Sequence, residues 1–171
     1  MNKRLVITFL VALSSVCGLY AQSYEEDFNA VQQAFQERLK TTPNALKNHL
    51  TTFPYTPYSD EIYLMEGVLY TEKGKYKQAT KVFNKITAKN LSRETQPMLY
   101  FYAGYALIQQ KQYEKALSLF LRLKNQKSTY APHARYYAGY CYYCMQDFPQ
   151  AMAEFLSVEH LGVYKKIAPY Y

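Results

Sequence analysis

The residues of this chain with the widest chemical range are Cys141 and Cys144, three apart, and the histidines His49, His133 and His160. A Cys-x-x-Cys pair can act as a redox couple or as half of a metal site. A zinc site needs four ligands, and only His133 and His160 are at hand to complete one. The apolar periodicity around the pair puts it inside a helix, where a disulfide between residues three apart strains the backbone. The pair therefore reads as two small, buried or half-buried side chains, with a disulfide left open by an oxidising compartment. The histidines lie far apart and have no carboxylate at a useful spacing. Glu25-Glu26-Asp27 reads as favourable charge at a helix N-terminus. The sequence holds no Gly-rich phosphate loop, nucleophile elbow or zinc-helix motif. No enzyme activity, cofactor or metal is expected.

The remaining chemistry belongs to aromatic rings. The chain has 20 Tyr and no Trp. A tyrosine offers a flat apolar body and one hydroxyl, which suits recognition at small entropic cost. Such rings can grip an extended peptide, a partner helix or a sugar ring. They can equally be packing between helices, since aromatic stripes at helical spacing are usually core.

The elements that hold these rings are repeated. Gly67–Tyr76–Ala79–Phe83 recurs as Gly104–Tyr113–Ala116–Phe120 and as Gly139–Phe148–Ala151–Phe155, the glycines lying 37 and 35 residues apart. Each copy reads Gly-x8-[Tyr/Phe]-x2-Ala-x3-Phe without a gap. Self-similarity at that period marks stacked helical hairpins. In the second copy the pattern predicts a first helix over 96–110 and a second over 113–124. Pro97 and Pro132 open first helices, where a missing N–H costs nothing. Polar turns follow at 72–75, 109–112 and 145–147, and Gly74 suits a left-handed helix end. The glycine lets the two helices approach, the alanine answers it from the other side, and the two aromatics of the second helix bury against the next hairpin. Phe28, Val31, Phe35 and Leu39 mark a helix over 24–40, and Leu46 and Leu50 face inward from 44–52, as a degenerate first hairpin. The divisions expected are 1–21, a signal peptide; 22–58, the degenerate hairpin and a Pro-rich connector; repeats at 59–93, 96–130 and 131–165; and 166–171, the start of a further, truncated repeat.

Lys3 and Arg4 followed by the apolar run 5–16 and a small residue, Ala21, have the plan of an export signal, with cleavage expected after Ala21. The apolar run is shorter than the ~20 residues that span a bilayer. Val16 before Cys17 and Ser14 three before it match a lipoprotein signal poorly, so no stable membrane anchor is expected. Of the 20 Lys+Arg, two lie in this segment; 18 against 13 Asp+Glu leaves a net charge of +5. The charges are scattered, so a nucleic-acid partner is not expected.

With those residues in view the chain resembles tetratricopeptide repeat (TPR) proteins, over residues 60–165 strongly, 24–57 weakly and 168–171 as a stub. Residues 53–61, leading into Gly67, are also similar to repeats of exported TPR proteins in Gram-negative envelopes, including the TPR lipoprotein of outer-membrane protein assembly and the TPR partner of the Tol–Pal system. The resemblance implies an all-α right-handed superhelix with a concave groove lined by first helices. It puts Leu64, Val68 and Thr71, then Phe101, Tyr105 and Ile108, then Tyr136, Tyr140 and Tyr143 on the groove, with Tyr102 and Tyr137 beside it. TPR domains that clamp a terminal carboxylate use Asn where this chain has Val68, Tyr105 and Tyr140, which counts against that role. The expected function is a non-catalytic protein-binding scaffold of the periplasm or outer-membrane periphery, with an envelope protein or peptide segment as partner. Glycan binding by the tyrosines, aided by Gln109 and Arg135, and self-assembly through the C-terminus are the alternatives.

Overall fold

The computed structural model describes residues 22–162 and residue 164. The expected export segment 1–21 and residues 165–171, which include the expected truncated repeat, lie outside the described residues. Among the described residues there is no strand. The helices are α1 (22–36), α2 (Thr42–Thr52), α3 (Ser59–Glu72), α4 (Tyr76–Phe83), α5 (Gln96–Ile108), α6 (Tyr113–Leu123), α7 (Ala131–Cys144) and α8 (Phe148–Leu156). The chain divides into two compact units, Met1–Ile62 and Tyr63–Tyr171.

In the first unit Phe28, Val31 and Phe35 of α1 are buried together with Leu46 of α2. Leu39 is exposed, because α1 ends at residue 36 and Leu39 falls in the turn. The Thr42 hydroxyl lies 2.8 Å from the Ala34 carbonyl oxygen and 2.7 Å from that of Leu39, tying the turn to α1. The connector after α2 is fixed by rings. Tyr58 stacks on Phe28 at 4.0 Å, and Tyr24 meets Phe53 and Tyr58 edge to face.

In the second unit each helix packs on its successor, and α5 also touches α7. The first helices α5 and α7 thus adjoin. Prolines open α5, α7 and α8, and the Asp147 carboxylate accepts the Gln150 N–H at 3.3 Å to cap α8.

Every hairpin closes through the same turn. Arg38, Gly74, Lys111 and Gln146 have φ of 56°, 70°, 58° and 64°. The following N–H bonds back five residues in each case: Leu39 to Ala34, Lys75 to Tyr70, Gln112 to Leu107 and Asp147 to Tyr142, at 3.0, 2.8, 3.0 and 2.9 Å. The left-handed residue itself bonds back three, as Gly74 does to Thr71 at 3.0 Å. This is the Schellman end of a helix, and it satisfies carbonyls that the helix leaves open. Its presence between α1 and α2 gives that weakly patterned pair the same hairpin geometry as the others.

The glycines of the repeat are filled by phenylalanine. A Cβ on Gly67 would lie 2.3 Å from the Phe83 ring, on Gly104 2.7 Å from Phe120, and on Gly139 2.9 Å from Phe155. The sequence pattern assigned the notch to the alanine and sent the phenylalanine to the next hairpin. The ring instead closes its own hairpin, because an antiparallel return brings the residue sixteen positions later over the glycine. Ala79, Ala116 and Ala151 are buried beside it. Phe120 serves both hairpins, stacking also on Tyr137 at 5.6 Å. The aromatic that opens the second helix does reach across: Tyr76 meets Tyr105 at 6.2 Å and Tyr113 meets Tyr140 at 6.4 Å. Phe148, the third in that series, is 56% exposed.

Two outcomes are expected in urea unfolding of single variants. Gly104→Ala costs about 1–3 kcal/mol by overpacking against Phe120, whereas Gly162→Ala, whose Cβ meets nothing within 4 Å, is near neutral. Equal effects would remove the notch as a packing constraint. Lys111→Gly and Gln146→Gly each stabilise by about 0.5–1 kcal/mol, since glycine relieves the left-handed strain.

Candidate interaction surface

The aromatic residues of α5 and α7 form a linked series. Tyr105 meets Tyr137 edge to face at 5.6 Å, Phe101 meets Tyr137 at 6.0 Å, and Tyr136 meets Tyr137 at 5.3 Å. Together with Phe120, these make Tyr137 the hub of four rings, with its hydroxyl pKa raised by burial and then by Tyr105. It is a packing residue between hairpins. Tyr136 is similarly engaged, stacked on Tyr164 at 4.9 Å and 5.6 Å from Phe155. Phe101 also meets Tyr102 at 5.4 Å and Tyr130 at 5.0 Å.

What this series leaves accessible is narrower than the stripe expected from the resemblance. Leu64, Val68 and Thr71 are buried, and the Thr71 hydroxyl donates to the Gly67 carbonyl at 2.8 Å. Ile108 is buried in the core with Phe120, Leu123, Ala134 and Cys141, so it is withdrawn from the surface. Phe101, Tyr102, Tyr105 and Tyr140 are half-buried, and Tyr143 is 39% exposed, 5.8 Å from Phe148. Tyr136 and Tyr137 are half-buried as well, so these seven rings are the partly accessible set. Helix α5 carries no charged residue, so its surface is aromatic and neutral.

A second concavity lies away from the repeated residues. A cleft of about 320 Å³ opens between α4 and α6 over the other side of α5, lined by Thr80, Asn84, Leu99, Tyr100, Leu107 and Lys115 among others. It shares no residue with the tyrosine stripe. Gln110 ties the end of α5 to α4, donating to the Tyr76 carbonyl at 3.2 Å and the Ala106 carbonyl at 2.9 Å.

The titratable residues are structural ties. Fully buried His49 places Nδ1 2.7 Å from Asp27 Oδ2 and Nε2 3.1 Å from the Thr56 hydroxyl. Asp27, read from the sequence as helix-end charge, is thus the partner of a histidine 22 positions away. The order carboxylate, imidazole, hydroxyl is that of a hydrolytic relay. Here the Thr56 hydroxyl is buried and occupied by the Tyr58 N–H at 3.2 Å, so no substrate carbon reaches it. His133 meets the Tyr164 hydroxyl through Nδ1, and burial lowers its pKa. Lys124 and Glu154 pair across α6 and α8. Among the described residues no group of His, Cys, Asp and Glu could hold a metal ion, and no helix is long and apolar enough to cross a membrane.

Cys141 and Cys144 are free thiols, the first buried and the second half-buried. Burial, and then Cys144, push the Cys141 thiol up to about 12, which suppresses its thiolate. Under native conditions at pH 8 a maleimide reagent is expected to label Cys144 with Cys141 protected, and both to label in denaturant. Equal native rates would contradict the buried placement of Cys141.

No curated protein and no solved structure matches the chain. The family model for Iml2/Tetratricopeptide repeat protein 39 matches residues 5–164. That match spans nearly the whole chain, and the chain belongs to the Iml2/Tetratricopeptide repeat protein 39 family.

Proposed function

We propose that this chain is a non-catalytic scaffold of a Gram-negative cell envelope that holds a protein partner on the neutral aromatic surface of α5 and α7. Membership in a TPR-type family supports a protein-binding role in general. The observation that carries the finer reading is the set of partly accessible rings Phe101, Tyr102, Tyr105, Tyr136, Tyr137, Tyr140 and Tyr143 on adjoining first helices. Half-buried rings held edge to face by their neighbours are already ordered, so a partner docks on them with little loss of side-chain freedom. Their neutrality favours an apolar peptide segment or helix over an acidic terminus. The envelope assignment rests on the basic start, apolar run and small-residue end of residues 1–21.

The glycan reading has less support. Sugar rings stack on open aromatic faces, and here the rings are turned edge to face on one another. Arg135, the cation nearest in sequence to the α7 stripe, donates to Asn125 at 3.3 Å.

Expressed with its own N-terminus in a Gram-negative host, the chain is expected in the osmotic-shock fraction and to begin at Gln22. Envelope proteins cross-linked to it are expected to be lost when Tyr105 and Tyr140 are both changed to Ala and retained with Lys115→Ala on the opposite cleft. Cytoplasmic retention with an intact N-terminus would sink the envelope assignment. An unaltered cross-linking pattern in the double variant would sink the surface assignment.

A further inference from the structure

The charge of the chain is uneven in one place. Residues 73–89 carry six lysines, Lys73, Lys75, Lys77, Lys81, Lys85 and Lys89, and no Asp or Glu. The other 12 Lys and Arg from residue 22 onward face 13 Asp and Glu. This segment therefore holds the whole positive balance of the chain beyond residue 21. All six lysines are exposed. Lys77 and Lys81 stand four apart on one side of α4, a helix about 12 Å long. Lys73 and Lys75 precede its start, and Lys85 and Lys89 follow its end. Lys85 is steadied by Tyr63, its Nζ lying 4.6 Å from the ring centroid.

A second observation separates these lysines from the needs of the fold. In repeat register, 37 residues on, their places hold Gln110, Gln112, Glu114, Ser118, Arg122 and Gln126. In the third copy none of the six places holds a cation. All three hairpins close with Phe over Gly, so packing does not ask for lysine. Like charges four apart on a helix repel, a cost that the mixed signs of Glu114 and Lys115 on α6 avoid. The exposed positions of α4 are Lys77, Gln78 and Lys81, with no apolar side chain among them. Protein interfaces centre on aromatic and apolar anchors and are poor in lysine. Single-stranded nucleic acid needs open rings to stack on. The two rings of this segment are engaged, Tyr76 against Tyr105 and buried Phe83 over Gly67.

We propose that the lysines of residues 73–89 form a peripheral membrane-binding face, which rests on the phosphate headgroups of an anionic bilayer. Clusters of about four to eight basic residues carry binding of this kind. An ammonium is a compact charge on a flexible stem and can follow a fluid array of headgroups, whereas the fork of arginine suits a fixed carboxylate. Every basic residue of this segment is lysine. No apolar side chain of α4 is exposed to enter hydrocarbon, so the association is electrostatic, reversible and weakened by salt. The six lysines line neither the tyrosine surface of α5 and α7 nor the cleft beside α4. Either surface can therefore fail while the other stands.

Co-sedimentation of the full chain with lipid vesicles tests the proposal. Partition onto vesicles of equal parts phosphatidylcholine and phosphatidylglycerol is divided by partition onto phosphatidylcholine alone, so that any contribution of the apolar run 5–16 cancels. The parent is expected to prefer the anionic vesicles at low salt and to lose that preference at high salt. Changing Lys73, Lys77, Lys81 and Lys89 together to Gln is expected to lower the ratio at least about 50-fold, since each lysine at the surface contributes about fivefold. Changing Lys40, Lys47, Arg122 and Lys127 to Gln removes the same charge elsewhere and is expected to lower it less than about fivefold. All eight positions are exposed, and circular dichroism checks that both variants keep the fold. A parent without preference for the anionic vesicles overturns the proposal. So does an equal loss in the two variants, which would reduce the effect to net charge. A parent held more tightly by poly-glutamate or duplex DNA than by the anionic vesicles also overturns it, naming an acidic protein segment or a nucleic acid as the occupant.

Discussion

The contact on which the second unit depends is a phenylalanine ring lying on a glycine. A helix pair that closes over Phe83, Phe120 or Phe155 leaves no room for even one methyl group at Gly67, Gly104 or Gly139. The ring fixes the separation and the rotation of its two helices at once. Ring on backbone admits only one registration, whereas two flexible side chains could slide past each other. Phe120 shows how the constraint spreads. It fills the notch of its own hairpin and stacks on Tyr137 of the next, so the geometry inside one repeat sets the placement of its neighbour. The aromatic series on α5 and α7 follows from it, because Tyr137 in turn meets Phe101, Tyr105 and Tyr136.

The second constraint is the left-handed residue in the turn inside each hairpin. A return within three to five residues requires the chain to reverse at once, and the Schellman bonds achieve this while satisfying helix-end carbonyls. Only Gly74 has the residue type that this conformation favours; Arg38, Lys111 and Gln146 bear the strain. The turns hold because the packing on either side determines them. The same reasoning accounts for α1 and α2, which lack the Gly and Phe signature but close through the same bonds.

Local features were legible in the sequence and long-range ones were not. The helices of the second repeat fall at Gln96–Ile108 and Tyr113–Leu123 against the expected 96–110 and 113–124, because proline openings and apolar spacing act over a few residues. The partnership of Phe with Gly needed the antiparallel return to be seen. The Asp27–His49 tie needed two helices to meet, since its members share no local pattern. Within the candidate surface, stripe positions were readable but exposure was not. Ile108 and Tyr143 occupy the same place in successive repeats, yet one is core and the other is open. Burial depends on what the neighbouring helix brings, and that information lies in another part of the chain.

The same dependence separates two surfaces of this unit. On α5 and α7 the rings are half-buried because they are busy with one another, and what they offer a partner is a fixed relief. On α8 the side chains are exposed because no described helix occupies the place that α7 takes on α6. Exposure of that kind is usually limited by charge at flanking positions, as Lys115 and Arg122 do on α6. Replacing those positions with Gln150 and Ser157 removes the limit. The exposed stripe of α8 and its outer side therefore carry no charged side chain.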